Sequence, residues 1–159
     1  MNKALWLIAL AALSVRAAVA VASDTSDVMA VVHQLVGGFK YDRSSALAVC
    51  ADEASIIDSI APMEWHGRGA CAKWFDAYDE EVKTGGITNP VLTLGNPKHL
   101  DFSGDTAYLV AAMTYTYEQG GKLKKQTGGT VTMSLKKGQS GWRITGMAWT
   151  DGIESVKPM

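Results

Sequence analysis

The run Ala51-Asp52-Glu53-Ala54-Ser55-Ile56-Ile57-Asp58 sets two acids ahead of a β-branched stretch that ends in a carboxylate. Over a strand at 55–60 side chains alternate, so Asp58 faces the same way as Ile56 and Ile60. A carboxylate among isoleucines is costly to desolvate. It is either solvated at a strand end or held in a pocket, where burial raises its pKa and fits it to take a proton. His66, within Trp65-His66-Gly67, is the second candidate. A neutral imidazole beside Asp58 makes an acid/base pair; otherwise it is an exposed or capping residue ahead of a helix. His33 and His99 read as structural or exposed.

Trp65, Trp74, Tyr78, Tyr115, Tyr117 and Trp149 carry apolar bodies with polar tips, suited either to core packing or to lining a pocket for a flat apolar ligand. Met113 shares a strand face with Tyr115 and Tyr117 and joins that candidate lining. Asp151 ends the last strand, where it serves a turn or faces the pocket mouth. Other chemistries lack their residues. No Gly-x-Ser-x-Gly elbow, CxxC, HExxH or zinc-ligand spacing occurs, so nucleophilic, redox and metal roles are unsupported and no cofactor is implied.

The elements that must position these groups follow from periodicity. Val28, Val31, Val32, Leu35 and Phe39 recur at helical spacing behind the potential caps Asp24, Thr25 and Ser26. Asp42-Arg43-Ser44 caps a short second helix through Val49. After the strand bearing Asp58 and a linker opened by Pro62, a third helix is predicted over 67–82. Its apolar side holds Cys71, Trp74, Phe75, Tyr78 and Val82, and its outer face holds Asp76, Asp79, Glu80 and Glu81.

From Gly85 onward the pattern changes to strands, predicted at 91–94, 98–102, 106–118, 127–137 and 142–150 and joined by Gly-rich turns as an antiparallel meander. In the longest, Ala107, Leu109, Ala111, Met113, Tyr115 and Tyr117 form the inward face. Gly146 marks a bulge that exchanges the faces of the last strand. Helices ahead of a sheet make an α+β domain.

Residues 1–22 read as an export signal: Lys3, an apolar stretch from Leu5 to Leu13, and Ala20-Val21-Ala22 before Ser23. That stretch is short for a membrane span, so release into the periplasm or medium is expected rather than stable anchoring. Residues 23–159 then form one domain. Removing the segment takes Lys3 and Arg16 from the 15 basic residues and leaves 13 against 16 acidic ones, net −3. Such a balance offers no basic field for nucleic acid, and the lysines near 122–125 and 136–137 read as solvated hairpin ends. Cys50 and Cys71 are compatible with one disulfide or with two buried thiols; sequence does not choose between them.

The order of three helices, an early strand, Trp65-His66-Gly67 and a meander ending in Trp142-Arg143-Ile144 resembles the NTF2-like superfamily, in its SnoaL-like and ketosteroid isomerase-like branch. The resemblance covers residues 23–159. It implies a curved antiparallel sheet wrapped around the N-terminal helices as a cone with an apolar pocket, and a homodimer packed through the sheet.

Locally, Ala30-Val31-Val32 leading to residues 51–58 is similar to ketosteroid isomerases, whose catalytic base falls on Asp58. That family also needs acidic donors at the developing enolate oxygen. Its helical tyrosine falls on Leu35, and its late-strand acid falls within 131–133, where no Asp or Glu lies between Thr127 and Leu135. Tyr115 or Tyr117 is the available replacement. The expectation is therefore an exported domain that binds a small apolar or aromatic molecule. The alternatives are a cofactor-independent isomerase, dehydratase or cyclase using Asp58, and a structural dimerisation module.

Overall fold

The structure, a computed structural model, describes residues 23–40 and 42–158; the expected export segment lies outside them. Helix α1 occupies 23–38 and buries Val28, Val32 and Leu35. Helix α2 (Arg43–Ala48) starts where Asp42 accepts a hydrogen bond from the Ser45 amide, which satisfies one of the N–H groups a helix start leaves unpaired. Strand β1 (Cys50–Ile57) begins five residues before the expected strand and stops just short of Asp58. Alternation still holds through the end, with Ala54, Ile56 and Asp58 all turned inward and buried.

Trp65-His66-Gly67 does not lie in a linker. It forms the middle of β2 (Glu64–Arg68), which pairs antiparallel with β1. Helix α3 (Ala70–Thr84) therefore starts three residues later than periodicity suggested. Gly67, within β2, and Gly69, the residue directly ahead of α3, adopt φ of 76° and 72°, a left-handed geometry that glycine takes without strain and that keeps both out of the helix.

The remaining strands are β3 (Ile87–Ser103), β4 (Thr106–Gln119), β5 (Lys122–Gly138), β6 (Gly141–Thr150) and β7 (Ile153–Pro158). The two segments expected at 91–94 and 98–102 are one edge strand. Its register shifts near Pro90 and Pro97, where the missing N–H is tolerated. The sheet order is β2-β1-β6-β5-β4-β3, with β7 beside the first part of β5. All pairings are antiparallel except β1 with β6.

The predicted inward face of β4 is buried from Ala107 to Met113 and again at Tyr117. On β6 the partner of Ser134 is Gly146 and that of Leu135 is Ile144, so Thr145 is the extra residue. This bulge turns Trp142 and Ile144 inward before it, and Met147 after it. Cys50 and Cys71 are bonded, with Cα atoms 6.5 Å apart, which ties α3 to β1. Arg43 reinforces the outer side of α3 through Asp76 at 2.5 Å and Asp79 at 2.7 Å.

Candidate functional site

Between α3 and the inner face of the sheet lies a cavity of about 130 Å³. Asp58 enters it directly after β1, where its amide donates to the Met63 carbonyl at 3.1 Å and so closes the turn toward β2. Only 8 % of the residue is exposed. Its Oδ2 accepts a 2.7 Å hydrogen bond from the indole Nε1 of Trp74. Ser59 Oγ donates its one proton to Oδ2 of Asp151 at 2.6 Å and lies 3.4 Å from Oδ1 of Asp58, so the two carboxyl groups flank one hydroxyl. Burial raises the pKa of Asp58, opposed by the Trp74 bond and by the amides of Ser59 and Ile60.

Trp74, Tyr78 and Glu81 follow one another at spacings of four and three, which places them on one face of α3. All three line the cavity. Glu81 thus lies on the cavity side of α3 rather than on its outer acidic face. It sits exposed at the cavity rim, its pKa raised by partial burial and then by Asp58 and Asp151. Phe39 packs edge-on to Trp74 and Tyr78, with ring centroids 5.3 and 4.8 Å apart, and Trp149 closes the same wall from β6.

Phenol groups line the cavity as well. The hydroxyls of Tyr78 and Tyr115 are 3.1 Å apart, and burial raises both pKa values. In such a pair one O–H donates to the other, and the acceptor's own proton stays available. Tyr117 is committed elsewhere: its hydroxyl donates to Glu154 at 2.5 Å, and Lys124 lies 3.1 Å from the other oxygen of that carboxylate. Burial and the adjacent carboxylate push the Tyr117 hydroxyl up as well.

Asp58, Trp74, Tyr78, Tyr115, Tyr117 and Trp149 therefore meet at one cavity. Met113 lies beside it, on a narrow recess bounded by Leu92, Tyr115 and Trp149. Trp65 pairs with Ile56 across the β1–β2 ladder and is buried in the core rather than on the cavity wall.

The structure does not bring His66 to Asp58. His66 pairs with Ser55, on the face of β1 opposite Ile56, and its ring contacts Ser55 Oγ at 3.1 Å and Glu64 at 3.2 Å in the open. Period-two alternation excludes a shared face. Leu35, where the resemblance put one isomerase donor, and Val131 and Met133, at the ends of the range expected for the other, are buried apolar residues of the core. Ile60, Val82, Ile87, Leu92 and Gln126 complete the wall. For Ile87, Leu92 and Gln126 no local signal pointed there, because strand pairing alone brings them in. No group of three or more metal-ligating side chains occurs among the described residues.

A search of curated proteins finds no significant match. Solved structures share the architecture at low identity. A type 2 hexachlorocyclohexane dehydrochlorinase superposes with a TM-score of 0.71 at 11 % identity, over 85 % of this chain and 89 % of that one. A proposed scytalone dehydratase from Novosphingobium aromaticivorans gives 0.68 at 11 % identity, over 86 % and 89 %. An NTF2-like superfamily protein from Salmonella enterica serovar Typhimurium gives 0.68 at 15 % identity, over 84 % and 94 %. The family model of the SnoaL-like domain matches residues 26–148, in line with the helices and mostly antiparallel sheet just described. The chain belongs to the SnoaL-like domain family and shares the fold of the NTF2-like superfamily protein above.

Proposed function

We propose that this protein binds a small one-ring molecule in the cavity between α3 and the sheet, with Asp58 as its polar anchor. The observation that carries this reading is a buried carboxylate, held by Trp74, at an aromatic-walled cavity of about 130 Å³. A closed apolar cavity of about 150 Å³ accommodates benzene. A single ring with a hydrogen-bond donor fits that scale. The Cys50–Cys71 bond supports export into an oxidising compartment as part of the same proposal. Thermal shift measurements with one-ring phenols, ketones and amines beside sterols test it. Compounds of one ring should raise Tm, because binding only the native state stabilises it by mass action. A flat response to every one-ring compound would sink the reading.

A second reading is favoured by the raised pKa of Asp58 and by the names of two structural neighbours, a dehydratase and a dehydrochlorinase. In it, Asp58 removes a proton from carbon while a leaving group departs, and the free O–H of the Tyr78–Tyr115 pair steadies the developing negative charge. Asp58→Asn should then abolish turnover of a responsive ligand while the fold persists. Undiminished turnover in that variant excludes Asp58 as the base. The homodimer expected from the family resemblance is tested by sedimentation of the full chain, a monomer at all concentrations being the contrary result.

A further inference from the structure

We propose that the ligand of this cavity is an organic cation, an amine or ammonium group carried on about one ring. The inference rests on the binding reading above and names its chemical class.

The lining charges are of one sign. Among the described residues Asp58, Glu81 and Asp151 border the cavity, and no Lys, Arg or His does. Among the described residues none of the three forms a salt bridge, whereas Asp24, Asp76, Asp79, Asp105 and Glu154 all have basic partners. The Ser59 hydroxyl lies between Asp58 and Asp151, and Glu81 responds to both carboxylates, so the three share one local field.

A neutral ring would fill the apolar wall and leave that repulsion in place. An anion would add to it. A cation offsets it, through charge-assisted hydrogen bonds to carboxylate oxygens. The walls favour the same charge, because the faces of Trp and Tyr rings carry negative electrostatic potential and attract ammonium groups. Trp74, Tyr78, Tyr115 and Trp149 supply those rings. Position divides the labour: Glu81 and Asp151 are exposed at the rim, where they draw a cation toward the mouth, and buried Asp58 receives it.

Titration calorimetry at pH 7.5 with benzylamine, benzyl alcohol and benzoate compares one ring bearing a positive, a neutral and a negative group. Benzylamine should bind at least tenfold tighter than benzyl alcohol, benzoate should bind weakest, and added salt should narrow the gap. Asp58→Asn should weaken benzylamine about tenfold more than it weakens benzyl alcohol. If that variant does not fold, Glu81→Gln and Asp151→Asn at the rim carry the same comparison. Equal binding of amine and alcohol, or equal loss of both in the variants, overturns the cation proposal while the one-ring pocket stands. Failure of all three probes overturns both.

Discussion

Trp74 on α3 donates its indole N–H to Asp58 at the end of β1 across 2.7 Å, and both residues are buried. That bond spans the joint between helix and sheet where the cavity opens. Trp74→Phe keeps a ring and removes the donor. Leaving a buried acceptor without its partner costs about 1–3 kcal/mol, so urea unfolding at pH 7 should show a loss of that size. The Asp58 pKa should rise further, seen by NMR titration of its carboxyl carbon. An unmoved titration would mean that Trp74 does not set the charge of Asp58.

Asp58 gives stability a defined pH dependence. Burial places its folded-state pKa above the unfolded value, so the fold favours the protonated acid. This contribution is fully present below the unfolded pKa, about 3.9, and is lost as pH rises through the folded-state pKa. Asp58→Asn has no proton to lose. Its Tm should exceed that of the parent at pH 7, and the difference should close toward pH 3. A constant difference across that range would contradict the assignment.

The Cys50–Cys71 bond joins positions 21 apart in sequence, closing a loop that contains Asp58, and it fastens α3 to β1. Closing a loop of that size in the unfolded chain is worth about 3 kcal/mol. The double substitution Cys50→Ala/Cys71→Ala should lower unfolding free energy by about that amount and weaken one-ring ligands. Retained stability with retained binding would show that packing alone holds the joint.

Gly152 separates β6 from β7 and follows Asp151. A Cβ there would lie 2.4 Å from the Thr127 carbonyl oxygen and 2.8 Å from the Gly129 amide, both backbone. Gly152→Ala should cost about 1–3 kcal/mol by overpacking. Gly37, on α1, has open space around its Cβ position, and Gly37→Ala should stabilise by about 0.5–1 kcal/mol through helix propensity. Thermal melts of the pair should move in opposite directions. A shared direction would count against this account of the β6–β7 junction.

Periodicity and capping chemistry by themselves determined the buried stripe of α1, the cap of α2, the inward face of β4, the exchange of faces around Gly146, and the inward direction of Asp58. Each of these depends on neighbours within a few positions, which a linear pattern records. Tertiary structure alone decided the rest. Strand β2 is short and β7 carries exposed Ile153 and Val156, so neither showed an alternating core face; β2 exists by pairing with β1, and β7 by pairing with the distant first part of β5. The Cys50–Cys71 bond depends on how α3 packs against β1. The separation of His66 from Asp58 follows from the register of Ser55 against His66. The meeting of Glu81 with Asp151 across the cavity mouth joins a helix to the end of a strand 70 positions later, and only the closing of the sheet over α3 brings such distant carboxylates together.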